Sequence, residues 1–138
     1  EIEKNLVKIK WLEKSQNKTL WVTKINGIDK KLEKISSELE NLPNEFKKYI
    51  VNPDGVYNFR KISGTNRLST HSFAIAIDLN KEYSNYWLWD KKGNNIEYKN
   101  KIPLEIVKIF EKYGFIWGGR WYHYDTMHFE YRPELLLD

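Results

Sequence analysis

The segment RLSTHSFAIAIDLN, residues 67–80, constrains the fold more than any other part of the chain. Its apolar run, residues 73–77, is typical of a buried strand, yet this run lies between His71 and Asp78. A buried carboxylate is costly unless it is paired or binds a metal ion. The segment therefore predicts a central strand whose polar ends meet a partner from elsewhere in the chain.

A second segment, WYHYDTMHFEY at residues 121–131, contains the other two histidines of the chain. If residues 127–131 form a strand, His128 and Glu130 share one face, because side chains alternate along a strand. His71, Asp78 and His128 then offer two imidazoles and one carboxylate, a ligand set typical of catalytic zinc. Asp125, three residues before His128, is the candidate acceptor for the proton of an attacking water.

Each of these features also has a plain structural explanation. A lone histidine is more often a hydrogen-bonded core or surface residue, and an aspartate at a strand end is more often a cap or turn residue. His71 and Asp78 are seven residues apart, which places them on opposite faces of an uninterrupted strand. A shared site therefore requires a turn or bulge before the strand, and we expect it within residues 70–73.

Hydrophobic patterning in the first half of the chain predicts a hairpin and a helix. Residues 7–11 and 20–25 alternate as half-buried strands do, and we expect them to pair. Asp29 is expected to cap a helix. The apolar face of this helix carries Leu32, Ile35, Leu39 and Leu42, and a short helical turn from Pro43 through Phe46 and Ile50 follows.

The second half of the chain predicts a further helix and a small sheet. Pro103 is expected at the first position of a helix that Gly114 ends. Residues 57–60 and 73–78 are expected to be strands, residues 86–89 strand or loop, and residues 115–119 and 128–131 a hairpin or adjacent strands. The sequence therefore predicts a mixed α+β domain that spans residues 1–138.

Composition excludes several classes of protein. The net charge of +4 comes from dispersed lysines, so a nucleic-acid-binding surface is not predicted, although such a charge suits an anionic polymer such as a bacterial cell wall. The absence of cysteine excludes disulfides, thiolate zinc sites and a cysteine nucleophile. No apolar stretch reaches 18 residues, so no membrane span is expected. No signal peptide is visible, and the chain begins at Glu1 rather than methionine.

Two segments together carry a resemblance to a known family. FRKISGTNRLSTHSFAIAIDLN, residues 59–80, and FIWGGRWYHYDTMHFEYRPELL, residues 115–136, resemble the zinc D-Ala-D-Ala carboxypeptidases. This family includes the vancomycin-resistance D,D-peptidases and several phage L-alanyl-D-glutamate endolysins, and the hedgehog signalling domain shares its fold. The resemblance covers residues 57–135 and implies a hedgehog/DD-peptidase-like antiparallel sheet with flanking helices and a zinc site on the sheet. Residues 1–55 carry no catalytic motif, and residues 56–138 would form the peptidase core.

The resemblance implies roles for individual residues. It makes His71, Asp78 and His128 ligands of one zinc ion and Asp125 the catalytic carboxylate. An arginine upstream of the first histidine contacts the substrate in this family, and Arg60 is the first candidate for it. Further implied positions are Arg67, as the second candidate for the arginine, and Ser69, which would orient the loop or the substrate. The family usually has glycine where this chain has Ala74, and alanine there would strain a turn or crowd the site.

Several residues near Asp125 are candidates for substrate binding or support. Trp117, Trp121 and Tyr122 either wall a substrate cleft or pack in the core. His123 is either within reach of the transition state or a surface residue. Glu130 is expected to support a ligand by hydrogen bonding rather than to bind the metal ion itself.

The function that the resemblance implies is hydrolysis of peptidoglycan stem peptides by an exported zinc peptidase, which we expect to be a monomer in the periplasm or cell envelope. A D-alanyl-D-alanine carboxypeptidase is favoured. An endopeptidase that cuts an internal bond is the first alternative, because only the end wall of the cleft distinguishes the two. A wall-binding module without turnover is the second alternative, and the presence of Asp125 argues against it.

Overall fold

The computed structural model describes residues 3–53, 76–93 and 95–136 and shows an α+β protein with two antiparallel sheets. Its elements in chain order are β1 (Leu6–Trp11), β2 (Lys18–Thr23), α1 (Ile28–Glu40), α2 (Lys47–Ile50), β3 (Ala76–Asp78), α3 (Trp87–Asp90), α4 (Leu104–Lys112), β4 (Phe115–Trp117) and β5 (His128–Tyr131). None of the helices in the described ranges is long and apolar enough to cross a bilayer.

The N-terminal hairpin confirms the alternating pattern of the sequence. β1 and β2 pair antiparallel from Leu6 opposite Thr23 to Trp11 opposite Lys18. Along each strand, buried residues alternate with exposed ones, so that Ile9 and Leu20 face the core and Lys8 faces solvent. β2 ends two residues earlier than predicted, because residues 25–27 form a 3₁₀ turn that leads into the next helix.

Helix α1 covers the inner face of this hairpin and also contacts α4. Its apolar face is the predicted one, with Leu32, Ile35 and Leu39 buried, but its cap is not. Gly27, with a positive φ of 69°, precedes the helix. Asp29 lies inside the first turn, where its carboxylate interacts favourably with the positive end of the helix dipole. The prediction of Asp29 as the cap was therefore wrong. Leu42 lies beyond the end of α1 and still packs on the core.

The second sheet brings Asp78, His128 and Glu130 together. Its strand order is β3-β5-β4, and both pairings are antiparallel. Asp78 lies directly opposite His128, and Ala76 lies opposite Glu130. Adjacent β4 and β5 were predicted correctly. Of the strand predicted at 73–78, residues 76–78 are a strand, whereas residues 73–75 and the strand expected at 57–60 lie outside the described residues.

Aromatic packing fixes the position of β5, the central strand of this sheet. Phe129 stacks on Phe110 of α4 with ring centroids 4.0 Å apart, and Phe115 meets Phe110 edge-on. One buried cluster includes these rings together with Trp11, Ile35 and other residues of the N-terminal part. The face of β5 opposite to His128 is therefore anchored in the core.

Two further boundaries differ from expectation. Residues 86–89 were predicted as strand or loop, but Trp87–Asp90 form the short helix α3, while Tyr86 makes one isolated bridge to Asp125. α4 begins at Leu104 with Pro103 just before it rather than at its first position. Such shifts of one residue at a helix start reflect how weakly sequence defines the ends of elements.

A buried turn after β1 depends on one side chain of α1. Leu12 is fully buried and has a φ of 51°, which is unusual for a residue with a branched side chain. Its carbonyl accepts hydrogen bonds from the amides of Ser15, Gln16 and Asn17. Its own amide donates to Ser36 Oγ at 2.7 Å. The left-handed turn takes the Leu12 amide out of the hydrogen bonding between β1 and β2, and Ser36 supplies the acceptor for it.

We predict that Ser36→Ala lowers the free energy of unfolding by about 1–3 kcal/mol, because it leaves the buried Leu12 amide without its acceptor. Chemical denaturation with a common m-value would measure the loss. Ser37→Ala, at the exposed neighbouring position, is the matched control and should change stability by less than about 0.5 kcal/mol. Equal effects of the two substitutions would contradict this role of Ser36.

Candidate metal centre

The centre of the site is a cross-strand pair of polar side chains. Asp78 ends β3 and His128 begins β5, and antiparallel register places the two opposite each other. His128 Nδ1 lies 3.0 Å from Asp78 Oδ1, and both residues are buried. The strand that the sequence predicted to need a partner therefore finds it in the second histidine-containing segment.

Asp125 joins this pair from the turn before β5. Its amide donates to the Gly118 carbonyl at 3.0 Å, and its own carbonyl accepts from the His128 amide at 3.2 Å. The spacing Asp-x-x-His is therefore one closed turn, which presents the side chains of Asp125 and His128 together. A donor atom of Asp78, one of Asp125 and one of His128 all lie within 4.8 Å of one another.

A glycine and a tryptophan determine the position of the turn that carries Asp125. A Cβ added to Gly118 would lie 2.5 Å from the Asp125 carbonyl oxygen, so a side chain at this position would push the turn away. The Trp117 indole Nε1 donates to the Thr126 carbonyl at 2.9 Å.

The chemistry of these donors fits a small divalent cation. Two carboxylates and an imidazole are ligands that zinc accepts, and ligands about 2 Å from a tetrahedral ion lie roughly 3.3–3.6 Å from one another. Buried carboxylates that converge on one point are costly unless a cation or donors balance their charge. The three residues could therefore hold a metal ion, with His128 and the carboxylates in its coordination sphere.

Glu130 holds the far side of the His128 ring. Its Oε1 lies 2.8 Å from His128 Nε2, and its Oε2 accepts from Arg132 Nη1 at 3.3 Å. Burial opposes ionisation of Glu130, but the bonds from His128 and Arg132 outweigh burial and lower the pKa of this carboxyl. A carboxylate on the second ring nitrogen orients a histidine ligand. Glu130 contacts the ring of His128, and its role as support for a metal ligand stays a prediction.

Without a metal ion, the same contacts favour a protonated His128. Burial opposes the charge on the ring, yet the hydrogen bonds to Asp78 and Glu130 raise the pKa of His128 to about 9. Both ring nitrogens then donate, one to each carboxylate. A cation, whether a proton or a metal ion, is therefore the natural partner of this anionic environment.

The aromatic residues predicted around the site separate into two groups. Trp117 is buried against Phe129, so it supports the Asp125 turn from the core instead of walling an open cleft. Trp121 is partly exposed and lies 5.6 Å, between ring centroids, from His128, which places its ring beside the site. Tyr122 is 76% exposed, and His123 is an exposed residue that packs on Trp87 at 4.2 Å.

The remaining predicted residues lie outside the described part of the chain. These are Arg60, Arg67, Ser69, His71 and Ala74. Their predicted roles, and the turn or bulge expected at residues 70–73, stay predictions.

Sequence reasoning missed the segment that lies along the other side of the Asp125 turn. The Asn85 amide donates to Thr126 Oγ1 at 2.7 Å, and the Thr126 amide donates back to the Asn85 carbonyl. The Tyr124 hydroxyl donates to Asp90 Oδ2 at 2.8 Å. The cluster of aromatic residues at 86–89 was the available signal, but such a cluster does not reveal its pairing partner.

Comparison with known proteins identifies a family. A family model described as D-alanyl-D-alanine carboxypeptidase matches residues 63–131, half of the chain, and this segment includes Asp78, Asp125 and His128. No curated protein and no solved structure gives a significant match.

We predict that Glu130→Gln weakens divalent metal binding by about 10–100-fold, because the amide cannot supply the negative charge that polarises the His128 ring. Competition with a chromogenic chelator would measure the dissociation constant. Glu134→Gln is the control, since Glu134 is exposed and contacts Arg132 rather than the ring. Unchanged affinity in Glu130→Gln would show that this carboxylate has no part in metal binding.

Proposed function

Since the chain belongs to the D-alanyl-D-alanine carboxypeptidase family, we propose that it is a zinc peptidase that hydrolyses peptidoglycan stem peptides, with release of the terminal D-alanine as its reaction. The observation that carries the proposal is the convergence of Asp78, Asp125 and His128 within 4.8 Å inside the matched segment. Family membership alone would not distinguish an enzyme from a relative that has lost its catalytic groups.

Asp78 and His128 would hold the ion, with His71 as the third ligand. The support for the first two is their burial and their direct contact across β3 and β5. Glu130 would keep the ring of His128 in place through its second nitrogen. When bound, zinc supplies a Lewis acid that polarises a carbonyl group and makes water more acidic.

Asp125 would act as the general base and then as the general acid. Its carboxylate lies close enough to Asp78 and His128 to reach a water held beside them, and the turn closed on Gly118 fixes its backbone. It would accept the proton of the attacking water and deliver it to the leaving amine. The alternative role for Asp125 is direct coordination of the metal ion, since it belongs to the same group of donors.

Other groups would bind the substrate. Arg60, or else Arg67, would stabilise the developing oxyanion or a terminal carboxylate by bidentate hydrogen bonds, and Ser69 would orient the nearby loop. Trp121 would form a wall of the cleft, a role that its position beside His128 supports. Tyr122 offers a second, more exposed ring.

The proposal extends to fold and location. The antiparallel sheet with its site at the β3–β5 contact supports a hedgehog/DD-peptidase-like fold. A substrate in the cell wall would place the protein outside the cytoplasmic membrane, in the periplasm or cell envelope.

We predict that Asp125→Ala keeps about one bound zinc per chain and loses turnover by about 10²–10⁴-fold, because it removes the group that transfers the proton. The measurements are metal content by mass spectrometry and D-alanine release from a stem pentapeptide. Asp125→Asn, which keeps the size of the side chain, should likewise keep its zinc and lose turnover.

Two outcomes would contradict this assignment. Loss of zinc in both Asp125 variants would identify Asp125 as a ligand rather than the base. Full turnover in both variants would remove Asp125 from the mechanism.

A further inference from the structure

A group of aromatic side chains lies beside the turn that carries Asp125, and of its members only Tyr122 has a part in the proposed reaction. The group consists of Tyr86, Trp87, Trp89, Tyr122 and His123, which we call the aromatic array. Tyr86 meets Trp89 edge-on at 5.4 Å and Trp87 at 6.2 Å between ring centroids. His123 lies 4.2 Å from Trp87 and 5.0 Å from Tyr122, so the five rings form one continuous series of contacts.

The array lies at the protein surface rather than in the core. Trp89 is 58% exposed, Tyr122 is 76% exposed, and Leu88 between the two tryptophans is also exposed. The burial of large aromatic rings is strongly favourable, so a contiguous group of them left in contact with water marks a binding surface more often than chance exposure.

Backbone pairing attaches the array to the turn that carries Asp125. Tyr86 forms an isolated antiparallel bridge with Asp125, and the Trp87 amide donates to the Tyr124 carbonyl at 2.9 Å. At the end of α3, Asp90 Oδ2 accepts hydrogen bonds from the Tyr124 hydroxyl and from Asn85 Nδ2. The array is therefore held in a fixed place next to the turn that carries the candidate catalytic carboxylate.

Two lysines place ammonium groups, which are hydrogen-bond donors, at the edge of the array. Lys91 lies 6.0 Å from the Trp87 ring centroid, and Lys91 and Lys92 are both exposed. The neighbouring Asp90 carboxylate accepts hydrogen bonds from Tyr124 and Asn85. Flat apolar rings with flanking ammonium groups match a ligand that combines apolar faces with hydrogen-bond acceptors such as hydroxyl groups.

We propose that the aromatic array binds the sugar of the peptidoglycan glycan strand to which the stem peptide is attached. Pyranose rings present C–H faces that pack on aromatic rings, and their hydroxyls remain free for water and ammonium groups. The inference rests on the proposed function, since that function places a sugar at one end of the peptide substrate. A sugar on the array would align the attached peptide with Asp125 and reduce the entropy lost on binding.

The test compares Trp89→Ala and Trp87→Ala with the wild-type protein. Trp21→Ala is the matched control, because Trp21 is 50% exposed on the hairpin and lies opposite Lys8, whose Nζ is 4.9 Å from the Trp21 ring centroid. The first readout is binding to peptide-free glycan strands, which requires no turnover. The second is the ratio of kcat/KM for a stem peptide carrying its amino sugar to kcat/KM for the same peptide without the sugar.

We expect the wild type to bind glycan strands and to prefer the sugar-bearing peptide. Each array variant should lose about three- to tenfold in both readouts, the size expected for one aromatic contact, and Trp21→Ala should lose neither. Hydrolysis of the sugar-free peptide should stay near the wild-type rate in Trp89→Ala, because Trp89 has no part in the proposed mechanism.

The two readouts separate failure of this inference from failure of the proposed function. Wild-type protein that cleaves both peptides equally and does not bind glycan strands would overturn the inference and leave the peptidase intact. If the wild-type protein binds glycan strands, Trp89→Ala weakens that binding, and neither peptide is cleaved, the result would support the array and refute the peptidase. Equal losses in Trp21→Ala, or stronger binding to a single-stranded oligonucleotide than to glycan, would overturn the assignment of the array.

Discussion

The contact between Asp78 and His128 is the interaction on which the rest of this structure depends. It joins β3 to β5 through side chains that are both buried, in a position where an unpaired charge would be strongly destabilising. The register of the sheet brings the two residues together. Their buried negative charge then requires a cation, which is either a proton on His128 or a metal ion bound by both side chains. Fold and proposed function are therefore coupled at this one place.

The surroundings of this pair restrict how it can move. Glu130 holds the second nitrogen of the imidazole, while Phe129, between the two on the opposite face, stacks on Phe110 of α4. Gly118 permits the close approach that closes the Asp125 turn. The polar face of β5 is thus preorganised by an apolar face, so that little reorganisation is needed when a ligand binds. Tyr86 and Trp87 of the aromatic array pair with the backbone of this turn, so the proposed sugar-binding surface and the proposed base are held by the same contacts.

Sequence patterns predicted those features that depend on periodicity. Alternation along HFEY predicted that His128 and Glu130 share a face, and the apolar run ending at Asp78 predicted a strand that needs a partner.

Features that depend on tertiary contacts were not predictable in this way. Asp29 resembled a helix cap, but the left-handed Gly27 begins the helix. Trp117 and Trp121 are four residues apart and equally aromatic, yet only packing decides that one supports the turn from the core and the other borders the site. The pairing of Tyr86 with Asp125 joins segments 39 residues apart, and no local pattern encodes it.

The most direct test of the account is metal analysis of the purified wild-type chain combined with an assay for D-alanine release from a stem pentapeptide. The proposed function predicts about one zinc per chain and release of D-alanine that stops when a chelator removes the metal and resumes when zinc is restored. A chain that binds no metal even after zinc is added, and that releases no D-alanine, would contradict the assignment of Asp78 and His128 as metal ligands and the function built on them.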